Sequence, residues 1–367
     1  MYHRVFLRRG ATAALAMAIA VPLAQPAMAA PSGDSELSDA MNVIRCTVID
    51  GESFCTELGF VQSKPGSAAW RANLAAALAT EDSDTGDMGL ATLVDELKQL
   101  PRAELAERQN GQIESARRAV GRVKLQEYIG TDVAPPPGFF AKYPDLGLAE
   151  GSAKAQQLRA AIATPGTSSE PVSGEVAVAA SYPTFPSSRY IMSGYATEQE
   201  RDYWCGPATM QAIDWANDGG KDSQSLWASL MGTTTAGTYI GSMVARINTD
   251  TTWGSAAYGG AYTIFPVSPG NTATWFMSLH HTRIGYYGAP VIEHVQLLRA
   301  YYGYINYNHG GHYQTGRGYD ATTISIIDPY DERDFRTGGA HSAGYHSVSK
   351  ENLWGATLAN PNQNIGW

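Results

Sequence analysis

Gln199-Glu200-Arg201-Asp202-Tyr203-Trp204-Cys205-Gly206-Pro207-Ala208 sets a cysteine where a helix begins. Pro207 suits the first helical turn, because its missing N–H would be unpaired there anyway and its fixed φ is already helical. Cys205, Ala208, Ala212 and Trp215 then recur at roughly helical spacing. The first N–H groups of a helix have no intrahelical partner, and together with the macrodipole they favour an anion. A thiolate is therefore stabilised at Cys205, which is the usual setting of a cysteine nucleophile.

Cysteine usage isolates this thiol further. The chain has three cysteines, and Cys46 and Cys55 flank Asp50-Gly51, a dipeptide suited to a tight hairpin turn. Residues 1–30 read as an export signal, with Arg4, Arg8 and Arg9, an apolar run from Ala11 to Ala24, and Ala27-Met28-Ala29 as a cleavage site. The general secretory route suits it better than the twin-arginine route. Export implies an oxidising, extracellular destination, in which Cys46 and Cys55 are expected to form a disulfide. Cys205 is then the odd thiol: a nucleophile, an inert buried cysteine or an intermolecular bridge.

The formal charge of −9, with Lys and Arg scattered, offers no footprint for nucleic acid or an anionic membrane surface. After signal removal neither partner is expected, and no later stretch is apolar for long enough to span a bilayer. Residues 31–163 predict a helical region carrying the cystine hairpin, with helices over 68–78, over 90–100 and from Pro101 onward, where Ile113, Ala116, Val120 and Val123 share a face. Residues 31–65 otherwise read as irregular, and a short helix is expected over 154–162. The region could be a removable pro-segment, a substrate-targeting extension or a purely structural one. Residues 164–181 are dense in Pro, Gly, Ser and Thr and read as a linker.

Residues 182–367 predict helices after Cys205, over 225–231 and over 240–247, then strands over 289–292, 311–316 and 322–327. A leading helix followed by an antiparallel sheet is an α+β arrangement. Eight histidines are candidates for a base near a thiol. His312 stands out because it opens one strand while Asp328 ends the next, whereas the others have no evident acidic partner. A hairpin turning at Asp320 sets His312 directly opposite Asp328, with Cβ atoms about 5 Å apart. The carboxylate can then fix the imidazole's tautomer and orientation. Gln199, six residues before Cys205, can loop back and join the Cys205 N–H as a donor to an oxyanion.

These residues resemble a known family. Gln199 at its offset, Cys205-Gly206-Pro207-Ala208, Gly288-Ala289-Pro290-Val291, Gly311-His312-Tyr313, Gly318-Tyr319-Asp320 and Asp328-Pro329 are similar to motifs of the papain-like cysteine peptidases related to the bacteriocin-processing, double-glycine-leader peptidases. The resemblance covers residues 182–367. It implies a papain-like catalytic domain that hydrolyses peptide bonds of a peptide or protein substrate through a thioester. It also implies Cys205 as nucleophile, His312 as base and acid, Asp328 as orienting residue and Gln199 as oxyanion donor, with no metal or organic cofactor. A cell-wall amidase or transglutaminase-like acyl transferase uses the same chemistry. A non-catalytic module binding peptide or sugar on Tyr286, Tyr287, Tyr301, Tyr302, Tyr304, Tyr307 and Tyr313 is the reading from another class. The oligomeric state is left open.

Overall fold

The computed structural model describes residues 33–61, 63–79, 88–131, 135–136, 138–143 and 186–367. The signal-like segment 1–30, the linker 164–181 and the helix expected over 154–162 lie outside the described residues. Within them the protein is α+β with an antiparallel main sheet. No described helix is long and apolar enough to cross a membrane.

The N-terminal region opens with α1 (Gly33–Val43), where the sequence predicted irregular structure. Its Gly, Ser and Asp content hides the pattern, but Ala40 and Val43 are buried and Leu37 and Met41 pack beside them. A three-stranded ribbon follows, β1 (Cys46–Ile49), β2 (Glu52–Cys55) and β3 (Gly59–Val61). Cys46 lies directly opposite Cys55 in the β1–β2 register, and the two are joined in a disulfide as expected. Asp50 (φ 51°) and Gly51 (φ 87°) make the two-residue turn, with both central residues in the left-handed region that such hairpins require. Next come α2 (Ala68–Ala79), α3 (Leu90–Gln99), the 30-residue α4 (Arg102–Thr131) and the single turn α5 (Phe139–Lys142).

This region is built into the body of the molecule. Trp70, Leu74, Leu93 and Leu97 share one apolar cluster with Met210, Ile213, Trp227 and Met243 of the C-terminal region. On α4 the predicted face splits. Ile113, Ala116 and Val120 pack on the ribbon's Ile49 and Phe54, and Val123 turns to a second cluster in the C-terminal region. Arg122, one residue away, is buried and donates to the carbonyls of Gly259 at 2.8 Å and Ala261 at 3.1 Å.

The C-terminal region runs β4 (Arg189–Tyr190), α6 (Cys205–Asp218), α7 (Gln224–Met231), α8 (Ile240–Asp250), β5 (Ile264–Pro266) and α9 (Ala273–His280), which continues as a π-helical turn over His281–Tyr286. It continues with β6 (Val291–Gln296), β7 (Gly311–Tyr319), β8 (Thr323–Asp328), α10 (Glu332–Phe335), β9 (Gly344–Ser349), α11 (Lys350–Ala359) and β10 (Asn364–Gly366). The seven-stranded sheet has the order β5-β10-β6-β7-β8-β9, with β4 added to β7. Ile292, Tyr313 and Ile327 join the cluster of α6 and α8, whereas Val291, Val295 and Ile326 join that of α9 and α11. This alternation follows the two-residue period of a strand, with a helical layer on each side.

Candidate active site

Cys205 is the first residue of α6, as its sequence context predicts, and it is fully buried. Trp204 forms the N-cap without a side-chain cap, and the first i→i−4 bond of the helix runs from Ala208 N to Trp204 O at 3.0 Å. Gly206 is dictated by packing, since a Cβ there would lie 2.5 Å from Thr238 Oγ1 and 2.6 Å from its Cβ. The chain enters α6 under tight restraint. Ile191 N donates to Arg317 O at 2.8 Å, and the Tyr345 hydroxyl accepts from the amides of Gly194, Tyr195 and Ala196 at 2.7–3.2 Å. Thr209 then ties α6 to the sheet by donating to Tyr313 O at 3.2 Å.

His312 and Asp328 lie at one end of two inner strands, at the start of β7 and the end of β8, and both are buried. The Nε2–H of His312 donates to Asp328 Oδ1 at 2.8 Å. His312 also lies against the Cys205 side chain, and that proximity helps to raise the pKa of its imidazole. Cysteine, histidine and aspartate are therefore gathered in the order the sequence suggested.

The predicted register was not correct. β7 and β8 pair Thr315 with Ile327 and Gly316 with Ile326, then slip at a bulge between Gly316 and Gly318. Asp320 does not centre the hairpin; it closes the turn by accepting from Thr322 N and Thr323 N. Continuing the inner register puts Gln314 opposite Asp328, so His312 reaches the carboxylate on the diagonal. The displacement is two residues, and two residues is one full side-chain period, so both groups stay on one face. A slip of one would have separated them.

Burial by itself would lower the His312 pKa. The Asp328 charge, the hydrogen bond to it and the Cys205 contact outweigh burial and lift the value to about 10. Burial pushes Asp328 the other way, but His312, Tyr330 N and the Tyr304 hydroxyl hold its pKa below the ordinary value. An unpaired buried carboxylate costs several kcal/mol, whereas each hydrogen bond to a charged group contributes about 1.5–3 kcal/mol. Four donors, from His312, Tyr330, Tyr304 and Gln314 at 2.7–2.9 Å, meet this carboxylate. The arrangement holds an imidazolium at His312 against the Asp328 carboxylate.

Gln199 is buried and held beside the site, its backbone N–H donating to Pro329 O at 2.8 Å. Its side-chain Nε2 donates to the carbonyls of Arg201 and Asp202, both at 2.8 Å, while Oε1 has no partner. An amide nitrogen carries two protons. Donation to an oxyanion therefore requires the amide to leave at least one loop carbonyl.

Three further histidines have acidic partners that sequence reasoning missed. His280 faces Glu293 Oε1 and His309 faces Glu332 Oε1, each at 2.7 Å, and His341 bonds Asp331. The partners lie 10 to 23 residues apart with no shared local pattern, so only the tertiary fold could reveal them. His309 and His312 turn to separate carboxylates and do not converge. Glu198, Asp331 and His341 do bring ligand-type atoms within 4.8 Å of one another, but Arg333 already donates to Asp331 Oδ2 at 2.8 Å, and its guanidinium occupies the space beside His341. Of the tyrosines considered as a platform, Tyr287, Tyr302 and Tyr313 are buried core and only Tyr307 is prominently exposed.

No protein-family model matches the chain, and no curated protein matches it either.

Proposed function

We propose that this protein is an exported cysteine peptidase of papain-like architecture, hydrolysing peptide bonds of a peptide or protein substrate. The observation that carries the reading is His312, bonded through Nε2 to Asp328 and set against Cys205 at a helix N-terminus. A thiolate with an imidazolium beside it is ready to attack a carbonyl carbon.

In this mechanism the Cys205 sulfur adds to the scissile carbonyl and the carbonyl oxygen takes the negative charge. The Cys205 N–H donates to that oxygen, and Gln199 joins once its amide is released from a loop carbonyl. His312 gives its Nδ1 proton to the leaving amine, and the C–N bond breaks to leave a thioester. His312 then takes a proton from water, hydroxide adds to the thioester, and the carboxylic acid leaves as the thiolate returns. Asp328 keeps Nε2 protonated and Nδ1 toward the sulfur throughout.

Both reacting side chains are closed off by their surroundings, with Cys205 0 % and His312 4 % exposed. Substrate entry therefore requires local opening. The disulfide between Cys46 and Cys55 agrees with an oxidising destination.

The test is hydrolysis of a broad peptide library by the wild type and by Cys205→Ala. Loss of activity by about 10⁴-fold is expected. Equal activity in the two proteins overturns the reading. Running purified cell wall as a parallel substrate separates a peptidase from a cell-wall amidase.

A further inference from the structure

We infer that Tyr304 and Gln314 are positioning residues that fix the orientation and charge of Asp328, with Tyr302 setting the orientation of the Gln314 amide. The inference deepens the peptidase reading and rests on it for its catalytic meaning, but its geometry stands separately.

The two oxygens of Asp328 are divided between two tasks. Oδ1 takes His312 Nε2–H at 2.8 Å and Tyr330 N–H at 2.9 Å. Oδ2 takes the Tyr304 hydroxyl at 2.8 Å and Gln314 Nε2 at 2.7 Å. Gln314 gives a second Nε2 proton to the Tyr304 oxygen at 3.2 Å, closing a small ring of donors beneath the carboxylate. The carboxylate itself opposes reversal of this amide, which would set Oε1 against Oδ2, and Tyr302 supports the same orientation by donating to Gln314 Oε1 at 3.2 Å. Asp328 and Gln314 are 0 % exposed and Tyr302 is 1 % exposed, with Tyr304 half-buried at the margin, so little water reaches the carboxylate to replace a lost donor. Strand placement supports the assignment, because the pair next beyond Thr315 and Ile327 in the β7–β8 register is Gln314 and Asp328.

Burial pushes the hydroxyls of Tyr302 and Tyr304 well above their ordinary value, and the Asp328 charge adds to this. They remain donors across the working range of a thiol enzyme. The other titratable groups facing this network are His312 on β7, Glu293 on β6 behind Tyr302, and His346 on β9. The His346 ring stacks on that of Tyr304 at 3.6 Å between centroids. Tyr330 and His309 border His312 from the other side.

A carboxylate that loses Oδ2 donors in a dry site gives up its charge more readily, so Asp328 takes up a proton at higher pH. The readout is the downfield proton resonance of His312 Nε2–H, followed from neutral toward acid pH in the full chain and assigned by its absence in His312→Gln. It needs no substrate. Tyr304→Phe and Gln314→Met are each expected to raise the acid-side midpoint by roughly one to two pH units. Tyr302→Phe, which does not touch Asp328, is expected to raise it by less. With an active substrate in hand, kcat falls about tenfold in Tyr304→Phe while KM holds, as expected of residues that act through Asp328.

An unchanged midpoint in folded Tyr304→Phe and Gln314→Met overturns the inference, even if their melting temperatures drop, since a merely structural role lowers stability without moving the titration. If Tyr304→Phe does not fold, Gln314→Met and Tyr302→Phe decide the matter by the same midpoint. Should the peptidase reading fail through an active Cys205→Ala, the resonance still reports whether this network governs Asp328.

Discussion

Two buried histidine–carboxylate pairs lie on β6 to β8 and α9, and they differ in what surrounds each imidazole and each acid. His312–Asp328 at 2.8 Å and His280–Glu293 at 2.7 Å are alike in length and burial. In the second pair both imidazole nitrogens are engaged, Nδ1 with Phe276 O at 3.0 Å and Nε2 with Glu293. In the first, Nε2 is held by the acid and the ring lies against a thiol. The carboxylates differ in the opposite sense. Asp328 is fully satisfied on both oxygens, whereas Glu293 Oε2 has no partner. Under the proposed function, His312 is distinguished by the thiol its ring faces, while the well-braced Asp328 keeps the pair in place.

The largest effect expected from breaking this comparison is on turnover. His312→Gln lowers kcat/KM by about 10⁴-fold, whereas His280→Gln leaves the folded enzyme within a few-fold of wild type, as peptide hydrolysis measures it. Stability comes next. Glu293→Ala strands His280 in the core and costs about 3–5 kcal/mol in urea unfolding, with activity per folded molecule preserved.

Steric pressure on the same pair is smaller. A Cβ on Gly316 would fall 2.1 Å from Glu293 Oε1, so Gly316→Ala costs about 1–3 kcal/mol and perturbs His280–Glu293 before His312–Asp328. A pH trend also separates the two pairs. Because the His312 pKa is raised in the folded state, its stabilisation is complete below the unfolded value near 6.5 and fades as pH rises through about 10. The difference in unfolding free energy between wild type and His312→Gln therefore narrows over that window. A constant difference from pH 7 to pH 11 contradicts the assignment of the elevated value to this pair.

How much of this was legible in the sequence depended on how local the information is. Pro207 after Cys205, the Asp50-Gly51 turn between two cysteines and the apolar spacing in α3 are short-range signals, and the structure contains each of them. His312 and Asp328 could be paired because a hairpin joins them and because strand parity forgave a misplaced turn. The bulge was not legible, since Arg317 is set there by partners far along the chain, Ile191 O at 2.8 Å and Ser193 Oγ at 3.0 Å. Gln199 was placed beside the site, but the carbonyls that hold its amide belong to the loop's conformation, which no residue spacing encodes. The histidine partners, and the network under Asp328, arise where separate elements converge.

Arg122 carries a consequence for how the chain melts. Its guanidinium reaches from α4 into the turn at Gly259 and Ala261, and its neighbours on α4 bury themselves in clusters supplied by both ends of the sequence. Withdrawing α4 would strand a cation's hydrogen-bonding partners and open two apolar cores together, so partial detachment is costly at every stage. Heating should therefore produce a single calorimetric transition spanning the N-terminal region and the sheet, and a protease able to cut within α4 would be limited by global unfolding instead of local fraying.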